Sequence, residues 1–231
     1  MRVAIVSVGD ELLAGDTVNT NAAWLGQRLD ERGVTVARVT VVPDDVGAIA
    51  KVVNEYRAAY DAVLVTGGVG PTHDDVTMDG VAAAFGRDLA ASDEVLEWLT
   101  TTGGYSAEDL AAGTTEIPEG ARMLVNPEGV APGCVIGGVY VLPGVPAEMK
   151  AMFGEVADEF AGEVGHTESV VAAEPESELL DRLAGVRTRF DVTVGSYPGE
   201  NVRVKIQGSD AETVESAAAW LRDRVQRPAT E

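Results

Sequence analysis

The stretch Thr66-Gly67-Gly68-Val69-Gly70-Pro71-Thr72-His73-Asp74-Asp75-Val76-Thr77 follows the apolar run Ala62-Val63-Leu64-Val65 and leads into Met78-Asp79-Gly80-Val81-Ala82-Ala83-Ala84-Phe85. A buried strand, a glycine turn, two carboxylates and a helix start come in that order. Glycines let backbone N–H groups approach a phosphate closely, and a helix N-terminus adds partial positive charge at the same place. Carboxylates beside a phosphate need a cation between them and the ligand, because like charges repel. The stretch therefore reads as a site for a phosphate-bearing ligand with a divalent cation. An ordinary strand-to-helix turn uses the same glycines. The Lys-Ser/Thr end of a P-loop and the G-x-G-x-x-G fingerprint are both absent, so neither nucleotide motif applies.

Outward from this stretch, strands and helices alternate. Strands are expected at Arg2 to Val8, Val34 to Val42 and Ala62 to Thr66, with helices at Asn21 to Arg32, Val46 to Tyr60, Thr77 to Phe85 and Asp93 to Thr101. Short strands at Arg122 to Val125, Cys134 to Ile136 and Val139 to Leu142 precede a helix from Pro146 to Phe160. Continuously apolar strands in such an order imply an α/β domain, three-layered, with a mostly parallel sheet covered on both faces. Ligands in these sheets sit beyond the carboxyl ends of the strands. Here those ends run into Gly9-Asp10-Glu11, Thr66-Gly67-Gly68 and Pro143-Gly144-Val145-Pro146, which are expected to share one crevice. From residue 166 the pattern changes to strand, helix, two strands joined by Tyr197-Pro198-Gly199-Glu200, and helix. The expected division is a domain of residues 1–165 and a small α+β domain of residues 166–231.

Composition sets limits. The 231 residues hold 38 Asp and Glu against 17 Lys and Arg, a formal net charge of −21. That acidity argues against binding to nucleic acid or an anionic membrane. It is dispersed and lysine is scarce, the pattern of a protein that needs salt to screen its self-repulsion. No apolar run approaches the roughly 18 residues of a membrane span, and the start enters a strand directly, so no leader is expected. A single cysteine, Cys134, fits a reducing cytoplasm and reads as a buried thiol. Two histidines and one cysteine do not make a zinc site without carboxylates.

Four motifs now stand in order: Val6-Ser7-Val8-Gly9-Asp10-Glu11-Leu12-Leu13 with Asn19-Thr20-Asn21; Thr66 to Asp75; Asn126-Pro127-Glu128-Gly129-Val130-Ala131-Pro132-Gly133; and Leu142-Pro143-Gly144-Val145-Pro146-Ala147-Glu148-Met149. Together they closely resemble the N-terminal domain of the competence/damage-inducible protein A (CinA) family, within the molybdopterin-binding superfamily of MogA, MoaB and MoeA proteins. The resemblance spans roughly residues 1 to 160. The part from about 166 resembles the small KH-like domain that follows in longer members. Those often carry a C-terminal amidase domain, and the chain stops before it, so deamidase activity is not expected.

The resemblance implies a metal-dependent nucleotide pyrophosphatase acting on ADP-ribose or FAD, with Mg, or else Co or Mn, as the metal. Adenylyl transfer to molybdopterin in molybdenum-cofactor biosynthesis, and a non-catalytic nucleotide- or pterin-binding module, remain the alternatives. The family's glycine turn implies that Gly67, Gly68 and Gly70, with Thr66, Pro71 and Thr72, hold the phosphate or pterin end of the ligand. Asp75 and Asp44 are expected to position metal and phosphate, although Asp44 also suits a helix N-cap. Asp10 and Glu11 are expected to line the site, with Asn21, Gly129, Pro132, Gly133, Pro143 and Gly144. Asn21 equally suits a helix cap, and Glu11 a cap or the surface. The expected partners are a small nucleotide or pterin and further copies of the chain in a dimer or trimer, with neither nucleic acid nor membrane. The chain departs from the family at Ala112-Gly113-Thr114-Thr115-Glu116, where members carry a Lys/Arg-Gln-Ala run whose cation can neutralise a phosphate.

Overall fold

A computed structural model describes residues 1–106, 108, 110 and 113–228. The chain divides into two compact units, Met1–Gly162 and Glu163–Glu231.

The first unit runs β1 (Arg2–Val8), α1 (Asp10–Ala14), α2 (Thr20–Glu31), β2 (Thr35–Val42), α3 (Val46–Ala59), β3 (Ala62–Thr66), α4 (Thr77–Phe85), β4 (Leu89–Ala91) and α5 (Asp93–Thr101). It continues through β5 (Glu116–Pro118), β6 (Arg122–Leu124), β7 (Gly133–Ile136), β8 (Val139–Leu142) and α6 (Pro146–Val156). The central sheet has the order β2-β1-β3-β8-β7-β6. Its four strands β2, β1, β3 and β8 are parallel, while β7 runs antiparallel to β8 and β6 antiparallel to β7. It is the α/β, mostly parallel sheet that the strand-helix alternation implies.

Alternating side chains create the three layers. In β1, Val3 and Ile5 pack with α2 and α6, through Leu25, Leu29, Met149 and Met152. Ala4, Val6 and Val8 face the other way, onto Ile49 and Val53 of α3 and Val81 of α4. Strand β3 is buried along its whole length, which is why its sequence reads as a continuous apolar run. Cys134 is fully buried beside the Met78 sulfur, and burial pushes its thiol up to about 12.

Several local details differ from the sequence expectations. Gly9-Asp10-Glu11 does not stay a turn: Asp10 opens the short helix α1. The β4–β5 ribbon is an addition, made of three-residue strands too short for periodicity to reveal. Helix α6 ends at Val156 and gives way to a 3-10 turn over Ala157–Glu159. Helix α2 starts at Thr20, because Asn19 is its cap and accepts from the Ala22 N–H at 3.1 Å.

The second unit runs β9 (His166–Ala172), α7 (Glu176–Arg189), β10 (Thr193–Tyr197), β11 (Val202–Gly208) and α8 (Ala211–Arg222). Its antiparallel sheet has the order β10-β11-β9. Val170, Val204 and Ile206 pack against Leu179, Leu183, Val214 and Leu221 of the two helices. No helix among the described residues is long and apolar enough to cross a membrane.

Candidate functional site

The carboxyl ends of β1, β3 and β8 meet at a cavity of about 270 Å³, whose lining includes Ser7, Glu11, Asp44, Gly67, Gly68 and Gly144. A second cavity, of about 440 Å³, lies along the far part of the glycine loop and includes Gly70, Pro71, Thr72 and Pro132. Asp75 lines both.

The loop is shaped by close approach. Gly67 has φ +102°, and a Cβ there would stand 2.2 Å from the Val8 carbonyl oxygen. Gly68 follows with φ +61°. Two carboxylates bracket this loop: a Cβ on Gly68 would lie 3.2 Å from Asp44 Oδ1, and one on Gly70 would lie 2.6 Å from Asp75 Oδ2. Thr77, fully buried at the start of α4, fixes the loop from below. Its hydroxyl donates to the Gly67 carbonyl at 2.7 Å, and its N–H donates to the Gly68 carbonyl at 2.9 Å. The N–H groups of Gly68, Val69 and Gly70 donate to no backbone carbonyl among the described residues. They form the donor side of the loop.

Asp44 is available to the cavity because its neighbour takes the capping work. Asp45 caps α3, accepting from the Ala48 N–H at 2.7 Å. Asp44 instead accepts from the Asp10 N–H at 2.9 Å. Burial raises the Asp44 carboxyl above its ordinary pKa, and the neighbouring charges of Asp10, Glu11 and Asp74 add to the rise against the opposing Asp10 hydrogen bond. The side chain of Asp75 accepts from the Thr72 N–H at 3.0 Å and from the Thr72 hydroxyl.

Other expected site residues have different work. Asn21 is not the cap of α2. Its amide donates to the Gly144 carbonyl at 2.7 Å and to the Thr66 hydroxyl at 3.3 Å, tying α2 to the ends of β3 and β8. Thr66 is buried, and its hydroxyl donates to the Pro143 carbonyl at 2.8 Å. The Gly67 N–H is spent on the Leu142 carbonyl at 3.2 Å. Thr66, Gly67 and Pro143 thus hold the crevice in shape, with these groups turned inward. Asp10 contributes its backbone N–H, while Glu11 lines the cavity.

Gly129 and Gly133 line neither cavity. Gly129 sits against the Glu148 carboxylate, which accepts from the buried Asn126 amide at 2.7 Å. Gly133 lies inside β7, where a Cβ would meet the Val141 carbonyl at 2.4 Å. Gly113, Thr114 and Glu116 line the second cavity, so the segment that departs from the family's basic run stands at its wall; Ala112 lies outside the described residues.

Two contributors escaped the sequence reading. Ser7 accepts from the Asn19 amide at 2.9 Å on the floor of the first cavity. Thr77 anchors the loop. Their one signal is a hydroxyl at a strand end and at a helix start.

Among the described residues, the lining of the first cavity carries Glu11, Asp44, Asp74 and Asp75 and contains no Lys, Arg or His. No group of three or more His, Cys, Asp or Glu side chains able to hold a metal stands together among the described residues. The donor set fits Mg²⁺, which takes one or two carboxylates and completes its shell with water and ligand phosphate.

Comparison with known proteins agrees with this architecture. Residues 4–162 match the family described as "Probable molybdopterin binding domain", and residues 165–230 match "FAD synthase, middle domain". A protein of Archaeoglobus fulgidus is 42% identical, over 96% of this chain and 97% of its own length. A CinA-like protein of Frankia casuarinae is 37% identical over 98% of this chain, which spans 55% of that protein. A crystal structure of the protein CinA, of unknown function, from Thermoplasma acidophilum superposes with a TM-score of 0.64 at 37% identity, covering 69% of this chain and 97% of that one.

Proposed function

This chain belongs to the molybdopterin-binding-domain family, in its CinA-like branch, and from that premise we propose that it hydrolyses the diphosphate bond of a nucleotide of the ADP-ribose or FAD class with the help of a divalent metal. One observation carries the reading: Asp75 lines both cavities, beside a glycine loop whose Gly68, Val69 and Gly70 N–H groups donate to no backbone carbonyl among the described residues, and the charged side chains among the described lining residues are all acidic. A diphosphate does not enter such a crevice as a bare anion. A divalent metal such as Mg²⁺, Mn²⁺ or Co²⁺ would supply the missing positive charge and the means of activating water.

Asp44 and Asp75 would hold the metal. The loop N–H groups of Gly68, Val69 and Gly70 orient the phosphate and stabilise charge that builds on its oxygens. The water oxygen bonds to one phosphorus as that same phosphorus loses its bond to the bridging oxygen, which leaves on the other phosphate, and the protons of the water pass to solvent and the departing phosphate. The products are AMP and ribose 5-phosphate from ADP-ribose, or AMP and FMN from FAD. The assembly in this reading is a homodimer or homotrimer, to be tested by light scattering.

The direct test is AMP release from ADP-ribose and from FAD with each metal in molar KCl. Release that depends on the metal supports the proposal, and no AMP from either substrate rejects it. A second reading, adenylyl transfer to molybdopterin, is favoured by the matched family's description and by the larger cavity beside Asp75. It requires an adenylylated product from ATP and molybdopterin. Ligand binding without turnover in either assay would leave a nucleotide- or pterin-binding module.

A further inference from the structure

The second cavity has chemistry of its own. Val69, Met78, Leu89, Tyr105, Leu110 and Val130 give it apolar and aromatic walls, and its charged lining is Asp75, Asp79 and Glu116. Among the described residues no Lys, Arg or His lines it. Asp79 comes from the first turn of α4 and Glu116 from the start of β5, so the two carboxylates enter from separate elements. At about 440 Å³ the cavity falls in the range of small-molecule pockets, roughly 300–1,000 Å³, whereas the first, at about 270 Å³, falls just below it. The first cavity is lined more by short polar side chains: Ser7, Thr17, Asn19, Thr20 and Asn21.

We infer that the second cavity takes the nucleoside arm of the diphosphate ligand, and that Asp79 and Glu116 act there as a charge filter that admits an uncharged nucleoside and rejects one bearing a further phosphate. The inference rests on the proposed diphosphate chemistry at Asp75 and adds the class of nucleotide accepted. Apolar walls with an aromatic ring suit a flat base, which buries its faces and keeps its edge for hydrogen bonds. The carboxylates accept from the N–H and O–H groups of base and ribose. A phosphate monoester on the ribose has no such donors at neutral pH. It would bring up to two negative charges toward two exposed carboxylates with no Lys, Arg or His among the described lining residues, and at low salt that repulsion is only partly screened. The metal beside Asp75 is already committed to the diphosphate.

The test compares dephospho-coenzyme A with coenzyme A, which share the diphosphate and differ by one phosphate on the adenosine ribose. Binding of both is measured by titration calorimetry on the full chain, with Ca²⁺ to slow turnover. The KCl concentration is the lowest at which circular dichroism shows the protein folded. The expected preference for dephospho-coenzyme A is about a hundredfold, from about tenfold for each carboxylate. Asp79→Asn and Glu116→Gln each reduce the preference about tenfold, and the double variant brings it near one with dephospho-coenzyme A still bound. Both side chains are exposed, so folding is not at stake. Equal affinities in the unaltered protein, or a preference untouched by both substitutions, overturn the filter. If AMP release from ADP-ribose persists in either case, only the filter falls; if neither ligand binds and no AMP is released, the diphosphate reading falls with it.

Discussion

Carboxylates at the first unit's cavity and carboxylates in the second unit have opposite surroundings, although elsewhere the first unit also pairs Glu31, Asp158, Glu119 and Glu159 with arginines. In the first, Glu11, Asp44, Asp74 and Asp75 gather around one cavity without a basic residue in its lining. In the second, Glu174 receives both guanidinium nitrogens of Arg182, at 2.8 and 2.7 Å, and Glu168 pairs with Arg222. Arg189 and Arg224 lie over the Trp220 ring at 4.9 and 4.3 Å. The first unit holds nine basic and twenty-five acidic residues, the second eight and thirteen. Folding favours the second arrangement, since a like-charged cluster costs stability. The acidic lining kept beside a glycine loop at strand ends is what the proposed metal-dependent function would use.

The sharpest way to break this contrast is substitution on each side of it. Asp75→Asn is expected to lower AMP release about a thousandfold, whereas Arg182→Ala leaves the rate within about twofold because it touches only the second unit's ion pair. Equal losses in the two variants would erase the distinction.

Next in size is Gly67→Ala, which is expected to destabilise the first unit by about 2–3 kcal/mol in chemical denaturation. Its Cβ would run into the Val8 carbonyl, and its φ of +102° suits no other residue. Gly154→Ala in α6, where nothing lies within 4 Å of an added Cβ, is the control and is expected to stabilise by about 0.5–1 kcal/mol.

Smaller again is the effect of salt. Molar KCl is expected to raise the melting temperature of the first unit by several degrees more than that of the second, because screening relieves the larger charge imbalance. Hydrogen exchange followed separately in the two units reads this difference. Equal gains in both would separate any salt stabilisation from the acidic crevice.

Much of this contrast is written in the sequence at the level of elements. Ala62 to Thr66 reads as a buried strand because both its faces are covered, and that alone implies a three-layer sheet. The strand ends were locatable for the same reason, and with them the crevice. What hydrogen bonding does inside the crevice was not legible. Asn19, Thr20 and Asn21 all suit a helix start, and only the path of the chain decides that Asn19 caps while Asn21 reaches to Gly144. Asp44 and Asp45 are alike in sequence. The structure separates them because the side chain at the cap position turns back to Ala48 and the one before it turns to Asp10. Thr66 and Gly67 were assigned to the ligand for their types, but their buried polar groups had to be satisfied from within the protein first. The second cavity is assembled from segments spanning Val69 to Pro132, with no local pattern to announce it.

The finest test turns on pH, where the two regions should respond with opposite sign. Burial and like charges raise the Asp44 carboxyl, so its ionised form costs folding free energy near pH 7. That cost disappears as pH falls through the raised folded pKa, starting above the unfolded value of about 3.9. Glu174 is held low by the Arg182 side chain first and the Gln226 N–H second. Its contribution is complete above the unfolded value of about 4.3 and is lost as pH falls through its lowered folded pKa. Acidification from pH 6 toward 3 therefore relieves the first unit at Asp44 while it strips the second of its Glu174 pairing. Asp44→Asn is expected to stabilise the metal-free first unit by less than about 1 kcal/mol at pH 7 and to flatten its response in this range. Glu174→Gln flattens the second unit's loss and leaves the first unchanged. Hydrogen exchange across the pH series resolves the two. A first-unit profile that Asp44→Asn does not alter would mean that the Asp44 carboxylate carries no folding cost for a metal to relieve.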